Sequence, residues 1–125
     1  DVKVTGASAR RIAADTGSGN VSVLASDIEE WSAETGSGDV RLEASGSRAR
    51  AIEAETGSGD VTVRLDPSST FEAVADQGSG GIQGGFADAQ PILRGREVVG
   101  YRRGDGRTRI RVETGSGDFR IEPLR

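Results

Sequence analysis

Apolar and polar side chains alternate along most of the chain, in short stretches that flank a recurring Gly-Ser-Gly segment. Two apolar residues, two positions apart, precede each segment, and a second pair with the same spacing follows it, with Gly84 as an exception. Because side chains of a β-strand point alternately to opposite faces, each repeat predicts a strand, a tight turn and a second strand. The residues predicted to face inward are Ile12, Ala14, Val21, Val23, Trp31, Ala33, Val40, Leu42, Ile52, Ala54, Val61, Val63, Ala73, Ala75, Ile82, Ile110, Val112, Phe119 and Ile121.

The turn segment recurs five times, beginning at Thr16, Thr35, Thr56, Gln77 and Thr114. Successive copies lie 19, 21, 21 and 37 residues apart. A near-constant step of this length, broken once, is typical of repeat proteins whose units stack on one another. The segment 1–4 lies 19 residues before its counterpart 20–23, so it predicts one more strand and suggests a chain taken from a longer array.

Two architectures can carry a repeated strand, turn and strand: an antiparallel meander, or a β-solenoid in which equivalent strands of successive coils pair in parallel. The near-identical turns favour the solenoid, because stacked positions must suit their own copies above and below. We therefore predict an all-β protein, a single-stranded, right-handed β-solenoid of about five to six coils of 19–21 residues, forming one domain over 1–125. A third short segment with Ala9, Ile28 or Ala49 facing inward would complete each coil. Pro123 follows the last predicted strand and is a modest signal for the blocking of an open sheet edge.

The repeat is interrupted by an insertion at about 87–106, which is rich in arginine and contains turn signals at Gly95 and at Gly104-Asp105-Gly106. It predicts a protruding hairpin. One interpretation is a loop that covers the edge of neighbouring coils. The other is a partner-binding appendage, because its side chains form a positive surface on an acidic protein. The candidate contact residues are Arg94, Arg96, Tyr101, Arg102 and Arg103.

Two acidic columns flank the turns. The residue before each turn belongs to what we call the carboxylate row, and the residue four positions after its Thr or Gln belongs to the turn-exit column. At coil spacing, neighbouring like charges repel by about 1 kcal/mol in a medium like water, so the charges need compensation. The carboxylate row is Asp15, Glu34, Glu55, Asp76 and Glu113, and the turn-exit column is Asn20, Asp39, Asp60, Gly81 and Asp118.

Three kinds of compensation are open. Solvent, salt and nearby arginines are the first, and a bound divalent cation such as Ca²⁺, held by carboxylates and turn carbonyls, is the second. A cationic partner is the third. The candidate arginines are Arg11, Arg41, Arg64, Arg109, Arg111 and Arg120, and the weak candidates for cation contact are Asp39, Asp60, Asp118, Glu34 and Glu55.

Composition excludes several functions. The net charge of −4, from 16 basic and 20 acidic residues, is too balanced for a generic nucleic-acid binder. The absence of cysteine and histidine removes disulfides, the usual zinc ligands and histidine-based catalytic triads. The acids are distributed evenly by the repeat and none stands apart, so no cofactor and no catalytic residue is predicted. A carbohydrate-active β-helix enzyme is kept as an alternative, because paired carboxylates can hydrolyse glycosides.

The repeated Glu-Thr-Gly-Ser-Gly-Asp-Val phrase, together with Gly104-Asp105-Gly106 and the final segment 110–119, resembles the bacterial putative-adhesin family of β-strand repeats, a domain of unknown function. The similarity extends over nearly the whole chain, with departures at Gln77 and Gly81. It implies a β-solenoid in the cell envelope or secreted, attached to a membrane only through an anchor upstream. It also implies surface binding or envelope sensing, and it carries over no catalytic residues.

We therefore expect a non-catalytic module that binds a surface glycan, a peptide or an envelope protein. The alternative is a structural rod that self-associates end to end into filaments, because unpaired strands remain at both ends of an open solenoid.

Overall fold

The computed structural model of the chain describes residues 2–7, 10–26, 28–45, 49–66, 70–79, 81–85 and 89–123. These residues form thirteen strands and no helix, as the alternating pattern predicts. The strands are β1 (Val2–Ala7), β2 (Arg11–Thr16), β3 (Val21–Ser26), β4 (Glu30–Ser37), β5 (Val40–Ser45), β6 (Ala51–Ser58), β7 (Val61–Leu65), β8 (Phe71–Ser79), β9 (Ile82–Gly84), β10 (Gln90–Arg94), β11 (Glu97–Arg103), β12 (Thr108–Ser116) and β13 (Phe119–Pro123).

The strands form two sheets, with the two strands of each repeat in different sheets. Sheet A has the order β1-β3-β5-β7-β13-β9, and every neighbouring pair in it is parallel. Sheet B has the order β10-β11-β8-β12-β6-β4-β2 and is parallel from β8 to β2. Parallel pairing of equivalent strands rules out the meander and matches the stacked, solenoid-like alternative.

Equivalent residues of the repeats lie in register, so identical positions stack in columns. Val21 pairs with Val40, which pairs with Val61, and the same column continues to Phe119 and Ile82. Val2 pairs with Val21, which confirms the strand predicted at the beginning of the chain. A strand shifted by one residue would turn its apolar side chains toward solvent, so this register is strongly specified.

The core lies between the two sheets and consists of the columns predicted from the sequence. Every predicted inward residue is buried except Ile12 and Ile82, which are partly buried against the same cluster. Ile28 and Ala49 are buried as the predicted third segment, whereas Ala9 lies outside the described residues. Each fully buried Val, Leu, Ile or Phe side chain stabilises the fold by about 1.5–3 kcal/mol. Trp31 satisfies its indole N–H by donating to the Ile28 carbonyl at 3.0 Å.

The repeats do not stack in chain order. The C-terminal repeat, β12 and β13, lies between the third repeat (β6, β7) and the fourth (β8, β9). The third and fourth repeats follow each other in the chain, but they are therefore two strand spacings apart in the stack, about 10 Å. Pro123 consequently pairs with Leu65 inside sheet A, and the prediction that it protects an open edge is wrong.

The insertion forms the hairpin β10–β11, which extends sheet B. Strand β11 pairs antiparallel with β8 from Arg103–Phe71 to Gly100–Val74, so the base of the hairpin covers an edge, and only its tip projects beyond. At Gly100 the backbone of β11 lies so close to the Ala73 carbonyl that no Cβ atom fits. The predicted hairpin is therefore present but protrudes only at its tip, and its base fits the edge-covering interpretation.

Candidate functional site

The carboxylate row crosses the outer face of sheet B as one continuous line. In the order of the stack, Asp15 pairs with Glu34, Glu34 with Glu55, Glu55 with Glu113, and Glu113 with Asp76. All five side chains are exposed, because alternation turns them away from buried neighbours such as Ala54. Strands lie about 4.8 Å apart, so the five side chains span about 19 Å along the stack.

No ion pair reaches the carboxylate row within the part of the chain that the structure describes. Two of the arginines expected to compensate it bind other acids: Arg11 pairs with Glu30 at 2.6 Å, and Arg64 bridges Glu43 and Glu122 at 3.3 Å each. Arg111 lines a shallow depression beside the row, and a second open groove follows the row along the turn glycines. The row is thus an open strip of carboxylates that makes no direct ion pair among the described residues, with Arg111 as a cationic neighbour.

The turn-exit column differs, because its side chains hold the coils together. Asn20 Oδ1 accepts the Asp39 backbone N–H, Asp39 Oδ1 accepts that of Asp60, and Asp60 Oδ1 accepts that of Asp118, each at 2.9 Å. Asp118 Oδ1 accepts the Gly81 N–H at the same distance. Hydrogen bonds from backbone N–H groups stabilise a carboxylate, which offsets the repulsion within this column.

Sequence reasoning missed this role. An Asp or Asn at a turn exit is expected to bond a backbone group of its own turn, but here the acceptor reaches the next coil instead. Among the described residues no group of three carboxylates converges as metal ligands would. The weak cation candidates thus separate into Asp39, Asp60 and Asp118, which bind backbone N–H groups, and Glu34 and Glu55, which belong to the carboxylate row.

The turns hold both columns rigidly. The Thr56 hydroxyl is buried and lies 3.0 Å from the Gly38 carbonyl and 2.9 Å from the Ser58 carbonyl, so its single proton is shared between successive coils. A Cβ at Gly57 would lie 2.5 Å from the Gly36 carbonyl oxygen, and Gly59 adopts a φ of 130°. Both glycines of this turn are therefore needed, one for close approach and one for a conformation that disfavours other residues. The first turn differs, because a Cβ at Gly17 would meet no atom within 4 Å.

The five hairpin candidates do not form one surface. Arg94 and Arg96 are exposed at the tip, where β10 turns into β11. Tyr101 pairs with the buried Ala73 and packs partly buried over Gly84, whereas Arg102 pairs with Glu72 on the outer face. Arg103, at the base, is partly buried and already has an interaction partner. Alternation along β11 thus separates residues that are adjacent in sequence.

An exposed apolar pair at the hairpin tip escaped the sequence analysis. Leu93 and Val98 lie opposite each other on β10 and β11, and they are 58% and 39% exposed. They stand beside Arg94 and Arg96, so the tip is both apolar and cationic. In the sequence they belong to the adjacent apolar pairs Ile92-Leu93 and Val98-Val99, which do not alternate, so the pattern does not show which residue of each pair faces outward.

The turn between β11 and β12 is fixed by a side-chain contact. Gly104 and Gly106 adopt φ values of 64° and 68°, and the Thr70 hydroxyl donates to Asp105 Oδ1 at 2.7 Å. This hydrogen bond holds the pKa of Asp105 below its ordinary value. The contact ties the connection before the C-terminal repeat to the segment before β8.

The described residues contain no helix that is long and apolar enough to cross a membrane. No curated protein matches the chain. Among solved structures, the fold is similar to a "putative cell adhesion protein" from Clostridium sporogenes ATCC 15579, with a TM-score of 0.64 and 22% identity. The match covers 91% of this chain but only 55% of that protein, so at this identity it shows a shared fold. The family model of Toastrack DUF4097 matches residues 1–122, and the chain therefore belongs to the Toastrack DUF4097 family.

Proposed function

We propose that the protein is a non-catalytic binding module of the cell envelope that presents the carboxylate row to a cationic, extended partner. The observation that carries this proposal is the row itself: five exposed carboxylates in register, without an ion pair among the described residues. A line of like charge on a rigid sheet attracts an oppositely charged segment and sets its orientation.

The partner that fits the row best is a peptide with basic residues at alternate positions. Same-face residues of an extended peptide are about 6.7 Å apart, so four of them span about 20 Å. This length matches the row. A glycan would need amino groups to use the same charges, and a neutral glycan would gain nothing from them.

A surface location and a binding role agree with the description of the similar structure as a cell adhesion protein. Location is tested by fractionation of cells that produce the native protein, with protease treatment of intact cells. Retention in the cytoplasm would contradict it. We further propose that the coil is right-handed, because crossover connections between parallel strands of one sheet almost always are.

The absence of catalysis is also part of the proposal. The acids of the row share one environment, whereas acid–base catalysis needs two groups whose environments differ. A screen of polysaccharides for hydrolysis tests this, and turnover that is lost on neutralising two row carboxylates would contradict it.

Calorimetric titration with a seven-residue peptide, lysine alternating with serine, tests the binding site. We expect binding at low salt that weakens as the Debye length falls below the carboxylate spacing. The triple variant Glu34→Gln, Glu55→Gln and Glu113→Gln should lose about tenfold in affinity, if each charge pair contributes about half a kcal/mol.

The matched control neutralises three acids outside the row, Glu43→Gln, Glu72→Gln and Glu97→Gln, and therefore has the same net charge as the row variant. It should keep most of the affinity. An equal loss in both variants would show that only net charge matters and would contradict the proposed site.

An end-to-end filament is the second candidate, because both ends carry edge strands: β1 and β2 at one end, β9 and β10 at the other. Negative-stain microscopy of the purified protein tests it, and short isolated particles at high concentration would contradict it.

A further inference from the structure

The C-terminal repeat occupies a slot in the middle of the stack, although it is the last part of the fold in chain order. Strand β12 pairs with both β6 and β8, and β13 pairs with both β7 and β9. The first seven strands and the pair β8–β9 therefore form two separate bodies in the sheets until this repeat is in place. Without it, the strands on both sides of the slot have unpaired edges.

The contacts in the slot depend on the repeat and not on its connection to the chain. Gly59 N–H donates to the Ser116 carbonyl at 3.0 Å, Val61 N–H to the Asp118 carbonyl at 2.9 Å, and Phe119 N–H to the Gly81 carbonyl at 3.0 Å. Phe119 and Ile121 fill the core there and are completely buried. The same segment of a second copy would make each of these contacts unchanged.

The connection to the repeat is a short turn, residues 104–107, between β11 and β12. Gly104 and Gly106 adopt positive φ in it, which glycine accepts without strain, whereas a Cβ at Gly104 would lie 2.5 Å from Thr70 Cγ2. A short connection of this kind can extend as a hinge and place the element that follows it in a second copy, which makes the same contacts there.

We propose that the C-terminal repeat is exchanged between two copies of this chain, so that each copy fills the slot of the other. The partner is thus a second identical chain, and the interface is the slot between the third and fourth repeats. Exchange takes place during folding, before the slot closes. The monomer is favoured at low protein concentration, where the repeat's own slot is effectively more concentrated, and the exchanged dimer is favoured at high concentration.

The proposal does not depend on the binding function, because it involves none of the side chains of the carboxylate row as ligands. It differs from end-to-end stacking as well, since the buried repeat crosses between chains and the end strands stay free. Closed dimers and larger assemblies of exchanged copies both contain the same crossed contact, that of β12 of one copy with β6 of another. This contact can be detected directly.

A pair of single-cysteine variants detects the crossed contact. Ser58 and Ser116 are exposed partners in register on β6 and β12, and the chain has no cysteine of its own. Paired strand positions are within disulfide distance. The Ser58→Cys and Ser116→Cys variants are mixed, unfolded in urea, refolded together over a range of concentrations and then oxidised.

We expect a disulfide between Cys at 58 and Cys at 116 from different chains, identified by mass spectrometry of tryptic peptides, with a yield that rises severalfold over a hundredfold increase in protein concentration. Mixing the two folded variants without unfolding should give almost none. The double variant provides the positive control, because it forms the same bond within one chain. Absence of the interchain 58–116 bond at every concentration, while the double variant forms it, would overturn the proposal.

A hinge variant gives an independent measurement. Gly104→Val makes the closed turn unfavourable and should move the refolded protein from the 13.0 kDa monomer toward a dimer in light scattering after size exclusion. Gly95→Val is the matched control, because Gly95 has a φ of 66° in the hairpin turn but no atoms within 4 Å of an added Cβ. It should stay monomeric. A folded Gly104→Val that remains as monomeric as the control would contradict exchange, and if Gly104→Val does not fold, the cysteine experiment with the native hinge decides.

Discussion

Replacing Glu55 with glutamine removes the central charge of the carboxylate row and should stabilise the protein. Glu55 has Glu34 on one side and Glu113 on the other, with Asp15 and Asp76 one position further away. Glutamine keeps the length of the side chain and its fit to the exposed face of β6. The change therefore isolates the electrostatic contribution of one carboxylate.

The size of the effect follows from the strand spacing. At about 4.8 Å each nearest neighbour repels Glu55 by about 0.9 kcal/mol in water, and at about 9.6 Å each further one repels it by about 0.4 kcal/mol. Salt at about 0.1 M screens these interactions by roughly a third to two thirds. We expect Glu55→Gln to raise the free energy of unfolding by about 1 kcal/mol at this ionic strength, and by more at lower salt.

Urea unfolding followed by circular dichroism, at low and at high salt, measures this change. Asp15 lies at the end of the row and has only one nearest acidic neighbour, Glu34. Asp15→Asn should therefore raise the free energy of unfolding by about half as much as Glu55→Gln. Glu53→Gln is the control, because Glu53 pairs with Ser32 and Arg111 and has no acidic neighbour in its column. A Glu55→Gln protein that is less stable than wild type, or a gain in stability that does not shrink in high salt, would refute net repulsion within the row.

Three further measurements test the fold. Val61→Asp places an unpaired charge at a completely buried position and should unfold the domain, since the cost is several kcal/mol; a cooperative transition near that of wild type would show that the column faces outward. Asp60→Ala leaves the Asp118 N–H without its acceptor and should cost about 1 kcal/mol in urea unfolding, whereas Asp60→Asn keeps an acceptor oxygen and should cost less; equal losses would contradict the coil-to-coil bond. Thr70→Val should raise the pKa of Asp105 toward its ordinary value in an NMR titration of the carboxyl carbon, because the lowered pKa depends first on the Thr70 hydroxyl. A group with a lowered pKa stabilises the fold above its unfolded pKa and loses that effect as the pH falls below about 4, so wild type and variant should converge in stability at lower pH, and an unchanged titration would refute the contact.

The local structure could be predicted because it follows from side-chain alternation. Period-two columns such as Val40 and Leu42 have only one face that can be buried, and the Gly-Ser-Gly turns align the copies in register. The Thr and the two glycines of each Thr-Gly-Ser-Gly turn can also be recognised in the sequence. The burial of Ile28 and Ala49 follows from the same requirement that each coil close around its core.

The order of the repeats could not be predicted from the same pattern. The turn of the C-terminal repeat, Glu113–Asp118, has the same sequence as Glu34–Asp39 and Glu55–Asp60. Each of these copies suits the same neighbours, so local preferences do not say which one lies between which. The choice depends on the hairpin, where close contact of Gly100 with Ala73 binds β11 to the far side of β8 and leaves the slot to β12.

Because the C-terminal repeat lies inside the stack, its position also affects how the chain matures. The bond from Asp118 N–H to Asp60 joins residues 58 positions apart, and contacts of such long range slow folding. During synthesis from the N-terminus, β6 and β7 leave the ribosome long before their neighbours β12 and β13 exist. A chaperone that shields exposed strand edges would therefore be needed longest at this point. Loss of β12 and β13 from a nascent or clipped chain would divide the stack in its middle rather than shorten it at one end.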